Sequence, residues 1–377
     1  MTTTAAPAGV TVTAGAARPT RRLAALAAVV ALVAAGCSGG SAGGAAPNAT
    51  STTTATAAPA TSSTSPAADP AAAEVVPTGS YPVGTTEIAL VDTSRGTPAN
   101  NGAPATDERR LPTVVFYPAV GEPGSDPAVP EVIDDAEARD DRYPLIVFSH
   151  GVTAKGVFYR AELAAWASAG YVAVAADYPL SNQDSPGGPT ITDVGNQPAD
   201  ASFLIDEFTD PDGDTPAAEV ADQVDPGRIG AVGHSLGAVT SLGLGYGTCC
   251  ADDRVTAVAS WAGMIFPMLG EASPAPGITD RPLLLIHGDA DGTVPYQSSV
   301  SAFDEVESPR WFITLPGAEH IPPFISPDSS EVSSLVTSAT LAFFDAELKG
   351  DTDGITRLET AVEAVGRASA TLQSAGS

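Results

Sequence analysis

The chain has 377 residues, 43% of them apolar, enough to bury a core in one large α/β domain with appendages or in two small domains. Its 45 acidic residues against 17 Lys and Arg leave a net charge of −28, which repels phosphate backbones and so excludes nucleic acid as a partner; direct adsorption to anionic lipid is disfavoured for the same reason. The plainer use of such a surface is to keep an exported protein soluble.

The first 36 residues contain no acid, and Arg18, Arg21 and Arg22 precede an uncharged apolar run from Leu23 to Ala35, the layout of a signal peptide. As a helix this run spans about 20 Å, short of the roughly 30 Å of a bilayer core, so a permanent transmembrane anchor is not expected. Val33-Ala34-Ala35-Gly36-Cys37 resembles the lipobox of bacterial lipoproteins, which implies that Cys37 carries lipid and becomes the mature N-terminus. Ala34 stands where lipoboxes prefer Leu, so ordinary cleavage near Ala35 is the alternative. Thr20-Arg21-Arg22 is similar to a twin-arginine export signal, and the export route stays open. From Ser38 to Ala73 the chain is almost wholly Ala, Ser, Thr, Gly and Pro with Asp69 as its only charge, which cannot form a core and reads as a tether reaching about 35 Å. The expected division is a signal peptide over 1–36, a tether over 37–78 and a folded domain over 79–377. The expected location is outside the cytoplasm, held at a membrane only through Cys37 or free, as a monomer.

With Cys37 set aside, only the adjacent Cys249 and Cys250 remain. Neighbouring Cα atoms lie about 3.8 Å apart, so a bridge demands a strained ring and buried thiols are expected. Two cysteines with no companion cannot make the common structural zinc site, and no metal or cofactor is expected.

In the folded domain, Thr86 to Val91 and Thr113 to Tyr117 read as an antiparallel pair flanking a polar, Pro- and Gly-rich loop. Continuous apolar strands follow at Pro144 to Ser149, Tyr171 to Ala176, Arg228 to Val232, Val255 to Trp261, Pro282 to His287 and Trp311 to Leu315, separated by helical stretches. That alternation predicts an α/β fold with a mainly parallel central sheet, helices on both faces and the antiparallel pair at its N-terminal edge. Tyr159, Leu163 and Trp166 make one core-facing stripe. Val332, Leu335, Val336, Ala339 and Phe343 make another, behind Asp328 and Glu331 as a capping pair and with Gly350 as the stop.

Gly233-His234-Ser235-Leu236-Gly237 follows one of these strands and precedes a helix-compatible run, Ala238 to Leu244. A strand-to-helix turn this tight forces unusual backbone angles on the serine and excludes bulk two places away on either side. It resembles the nucleophile elbow of α/β-hydrolases, in which serine, acid and histidine follow in that order. A serine needs an adjacent base, and the base an orienting carboxylate. Of the four histidines only His287 and His320 follow Ser235, and His287 ends a strand before the acid loop, where a structural role is expected. His320, in the loop after the strand Trp311 to Leu315, is the candidate base. The loop His287-Gly288-Asp289-Ala290-Asp291 offers two acids. Asp291 lies four residues before Pro295, as the acid does in related hydrolases, while Asp289 suits a bond to loop amides. The oxyanion donors are expected to be the backbone N–H groups of Leu236 and of Val152, the latter in Ser149-His150-Gly151-Val152-Thr153, with His150 bracing that loop. Trp261, Met264, Phe266 and Ile321 are candidates for an apolar substrate pocket, or for core alone.

Together these residues resemble the platelet-activating-factor acetylhydrolase and dienelactone-hydrolase-like branch of the α/β-hydrolases. Gly151-Val152-Thr153-Ala154 is also similar to the oxyanion segment of cutinase-type polyester hydrolases. The resemblance extends to Asp92-Thr93-Ser94-Arg95 and to Leu111 through Pro118, and it implies a serine esterase acting on a small-molecule or lipid ester. Dienelactone hydrolase has cysteine where this chain has Ser235, so its lactone substrate does not carry over; Ala238 stands where acetylhydrolases and cutinases usually have a second glycine, which leaves a lipase, a phospholipid acetylhydrolase and a cutinase-like polyester hydrolase as open alternatives. Two rivals remain: an amidase or peptidase with the same residues, and a non-catalytic binding protein on a hydrolase scaffold.

Overall fold

The structure is a computed structural model that describes residues 79, 81–124, 130–213, 216–265, 280–325 and 330–376. The stretches expected to be signal peptide and tether, with Cys37, and also Asp328 and Phe266, lie outside the described residues.

Strands β1 (Val83–Asp92) and β2 (Arg109–Pro118) pair antiparallel along their full length, and the short β3 (Val132–Asp134) joins β1 in parallel. After them come β4 (Tyr143–Ser149), a 3-10 turn at Gly156–Tyr159, α1 (Arg160–Ser168), β5 (Val172–Ala176), a second 3-10 turn at Thr192–Gly195 and α2 (Gln197–Thr209). The chain continues through β6 (Val224–His234), α3 (Leu236–Tyr246), β7 (Val255–Trp261), β8 (Leu283–Gly288), α4 (Gln297–Glu305) and β9 (Arg310–Leu315). It closes with α5 (Glu331–Lys349), α6 (Gly354–Val365) and β10 (Thr371–Ala375). Among the described residues the strands form one sheet in the order β10-β9-β8-β7-β6-β4-β5-β2-β1-β3. Strands β4 to β9 run parallel, while β2 on β5 and β10 on β9 are antiparallel.

Alternate residues of the central strands feed two cores. Ile146 and Phe148 of β4, Ala257 and Ala259 of β7, and Leu284 and Ile286 of β8 face one core with Leu163 and Trp166 of α1 and Leu335, Val336 and Phe343 of α5. Their neighbours Leu145, Val147, Val258, Leu283 and Leu285 face the other, with Leu204 and Phe208 of α2, Leu242 of α3 and Ala302 of α4. Burial on both faces is why these strands read as unbroken apolar runs.

Three local expectations change. β6 begins four residues before the expected Arg228, because its pairing with β4 slips between Pro144–Asp225 and Leu145–Ile229; the bulge absorbs Pro226, which has no N–H for the ladder. α5 is capped by Ser330, whose Oγ accepts from the Ser333 amide at 3.1 Å, rather than by an Asp328–Glu331 pair, while Gly350 ends the helix at φ 69° as expected. Cys249 and Cys250 are not buried thiols. They sit in a turn after α3, Cys249 exposed and Cys250 half-buried against Val194 and Val239, and are joined as a disulfide, their Cα atoms 3.7 Å apart. Among the described residues no helix is long and apolar enough to cross a membrane.

Candidate active site

In a parallel sheet the loops after the strand C-termini gather at one edge, where ligands bind. The loops after β4, β6, β8 and β9 bring Val152, Ser235, Asp291 and His320 to that edge. Ser235, between β6 and α3, has φ 57° and ψ −119°, a left-handed conformation that costs a non-glycine residue and holds its side chain clear of the turn. A Cβ on Gly237 would run into the Ser149 carbonyl, and one on Gly233 into the Gly237 carbonyl, so the elbow needs both glycines.

The Ser235 hydroxyl lies 2.8 Å from His320 Nε2, and His320 Nδ1 lies 2.6 Å from Asp291 Oδ2. Since a carboxylate only accepts, Nδ1 carries the proton and Nε2 is free to accept from the serine. Asp291 Oδ1 accepts the amides of Thr293 and Val294 at 2.7 and 2.8 Å. Burial acts to raise the Asp291 pKa, but hydrogen bonds from His287, His320 and the Val294 amide outweigh it and hold the carboxyl well below the usual carboxylate range. Asp289 is directed elsewhere: its Oδ1 accepts the Gly317 amide at 2.6 Å and so ties the acid loop to the loop leading to His320. Of the two acids, the fold brings Asp291 to the histidine.

Leu236 is the first residue of α3, so its amide has no acceptor within the helix. The loop with Val152 abuts the elbow, for a Cβ on Gly151 would lie 3.3 Å from Ser235 Cβ. His150 accepts the Tyr178 amide at Nε2 (3.0 Å) and donates from Nδ1 to the Gly151 carbonyl (2.8 Å), a brace for this loop. Burial lowers its pKa, which keeps it neutral. His234 is pushed down to about 3 by burial and by the neighbouring His320. It donates from Nε2 to the His320 carbonyl at 3.0 Å and accepts the Tyr159 hydroxyl at Nδ1 at 2.8 Å.

Several supporting groups had no motif to betray them. Buried Gln197 donates to Ser181 Oγ at 2.9 Å and accepts from Thr240 Oγ1 at 2.5 Å, while the Ser181 carbonyl takes the Thr153 amide at 2.7 Å. One amide side chain thus joins the loop of Val152 to the helix of Leu236. Arg109, wholly buried, pairs with Asp193 at 2.8 Å and with Asp200, fixing the turn that carries Val194. Val194 packs in a small apolar cluster with Val239, Leu236 and Met264, beside the elbow.

Trp261 is not part of a pocket. It is fully buried, packed between Phe148, Trp166 and Phe324, with its indole N–H bonded to Thr340 Oγ1 at 3.0 Å, because it points from the end of β7 into the core beneath α5. Met264 is half-buried, and Ile321, next to His320, is 49% exposed. Among the described residues, no three His, Cys, Asp or Glu side chains gather as metal ligands.

Sheet order, strand directions and the turn at Ser235 are those of the α/β-hydrolase fold. The family model for platelet-activating factor acetylhydrolase, isoform II, matches residues 109–179. Among solved structures, a ferulic acid esterase from Streptomyces cinnamoneus is similar, with 24% identity and a TM-score of 0.56 over 71% of this chain and 91% of that one. No curated protein sequence matches the chain.

Proposed function

We propose that the protein is a serine hydrolase that cleaves carboxylic esters through an acyl-enzyme on Ser235. The observation that carries this reading is the unbroken line from Ser235 Oγ through His320 to Asp291, at 2.8 and 2.6 Å, on a serine held at positive φ. His320 takes the serine proton as Oγ attacks the ester carbonyl. The oxyanion forms against the Val152 and Leu236 amides, and His320 returns the proton to the departing alcohol. Water, activated by the same histidine, then releases the acid. Similarity to an acetylhydrolase family over residues 109–179 and to a feruloyl esterase supports an ester over an amide.

A lipid or polyester substrate is a second reading, favoured by exposed apolar side chains on the segments that follow two of the site loops: Val157 and Phe158 after the Val152 loop, and Ile321 after His320. Export, and anchoring through lipid on Cys37, belong to the same proposal; they would keep a monomeric acidic domain outside the cell and clear of the headgroups. A fluorophosphonate probe should label the enzyme at Ser235, and a p-nitrophenyl ester series from acetate to palmitate should be cleaved far faster than the matching anilides. Labelling that persists in Ser235→Ala, or anilides cleaved as fast as esters, would overturn the reading.

A further inference from the structure

A second histidine touches the candidate acid. His287 Nε2 lies 3.1 Å from Asp291 Oδ2, the same oxygen that holds His320, and 3.1 Å from the Val294 carbonyl. Both of these atoms only accept, so Nε2 carries the proton. Nδ1 must then accept, and the Ser299 hydroxyl stands 2.7 Å away to donate. His287 and Ser299 are both 0% exposed, so neither can reach substrate. His287 also sits within β8, paired to Thr314 of β9, while Ser299 lies in the first turn of α4. The ring is therefore fixed from both sides.

We propose that His287 is a positioning residue for Asp291: with its tautomer set by the two acceptors at Nε2 and its ring held at Nδ1 by Ser299, it shares the oxygen that orients His320 and so limits how strongly the acid holds the protonated base. This rests on the catalytic reading of Ser235, His320 and Asp291. Asp291 Oδ2 serves two donors, and part of its charge goes to His287. Without that donor, more charge faces His320, the imidazolium is better stabilised, and the base stays protonated to higher pH. The carboxyl also loses one of four hydrogen bonds that fix its plane. The titratable groups facing the pair are Asp291 and His320 themselves, His234, whose ring centroid is 4.9 Å from that of His320, and Tyr296, whose ring is 5.9 Å from that of His287 and whose hydroxyl bonds Thr314 Oγ1 at 2.7 Å. His234 is neutral throughout the working range, since burial and His320 hold it down to about 3.

The test compares His287→Leu, His287→Gln and Ser299→Ala with the wild type, each measured for kcat/KM on p-nitrophenyl acetate against pH and for melting temperature. His287→Leu should move the acidic limb of the profile up by about 0.5–1 pH unit and lower kcat about tenfold with KM little changed. His287→Gln, whose amide nitrogen reaches the place of Nε2, should return the limb to its wild-type position even where its melting temperature stays low. Ser299→Ala should shift the limb in the same direction by less, and it stands in should the leucine variant not fold. A merely structural histidine would lower the melting temperature in all three and leave the limb unmoved; that result, or identical profiles for Leu and Gln, overturns the proposal. Activity that survives Ser235→Ala would instead remove the catalytic reading beneath it.

Discussion

Replacing Asp291 by Asn tests the acid more sharply than deleting it. Four donors converge on the carboxylate: the Thr293 and Val294 amides on Oδ1, and His287 and His320 on Oδ2. An asparagine has one accepting oxygen and one donating nitrogen. If the oxygen stays with the two backbone amides, which cannot turn away, the NH2 group faces His320 Nδ1 and drives that ring to the tautomer with its proton on Nε2, pointing at Ser235. The base is then lost. The same change in chymotrypsin-like proteases costs about 10⁴ in turnover, or about 5.5 kcal/mol of transition-state stabilisation, without disturbing the fold. Asp289→Asn should instead remain active, because Asp289 accepts only the Gly317 amide in an exposed loop, at a cost of about 1 kcal/mol in stability. Turnover on a soluble p-nitrophenyl ester and melting temperature, measured on the same preparations, decide the matter. An Asp291→Asn enzyme with a tenth or more of wild-type turnover, or an inert and stable Asp289→Asn, would refute the reasoning.

Arg109→Leu leaves Asp193 and Asp200 buried without their main cation and should lower unfolding free energy by about 3–5 kcal/mol; a loss under about 1 kcal/mol in a urea titration would contradict it. Glu162 on α1 is buried, and burial pushes its carboxyl up to about 7 from an ordinary 4.5. The fold therefore favours the protonated form: its contribution is present below pH 4.5, is lost as pH rises to about 7, and is flat beyond, by at most about 3 kcal/mol. Glu162→Gln should flatten the melting temperature between pH 5 and 8, and a slope equal to wild type would count against it. Cys37→Ala should release active enzyme into the medium with unchanged turnover on a soluble ester; wild-type protein already free in the medium, with an N-terminus before Cys37, would rule out the lipid anchor.

The parallel sheet was legible because strands buried on both faces must be apolar at every position, and the elbow because a turn this tight leaves only glycine at positions 233 and 237. Chain order after Ser235 left few candidates for base and acid, and spacing to Pro295 favoured Asp291. What spacing could not supply is any contact made across the sheet. β10 is mostly exposed and carries no apolar pattern, and it became a strand only by pairing with β9. Trp261 looked like pocket lining beside an apolar run, but side-chain direction at the end of β7 put it in the core. His287, Gln197 and Arg109 act through partners 4 to 91 residues away, fixed by side-chain packing between elements rather than by any local sequence rule. Local chemistry is written in neighbouring residues; the support behind it depends on which strands and helices the tertiary fold sets side by side.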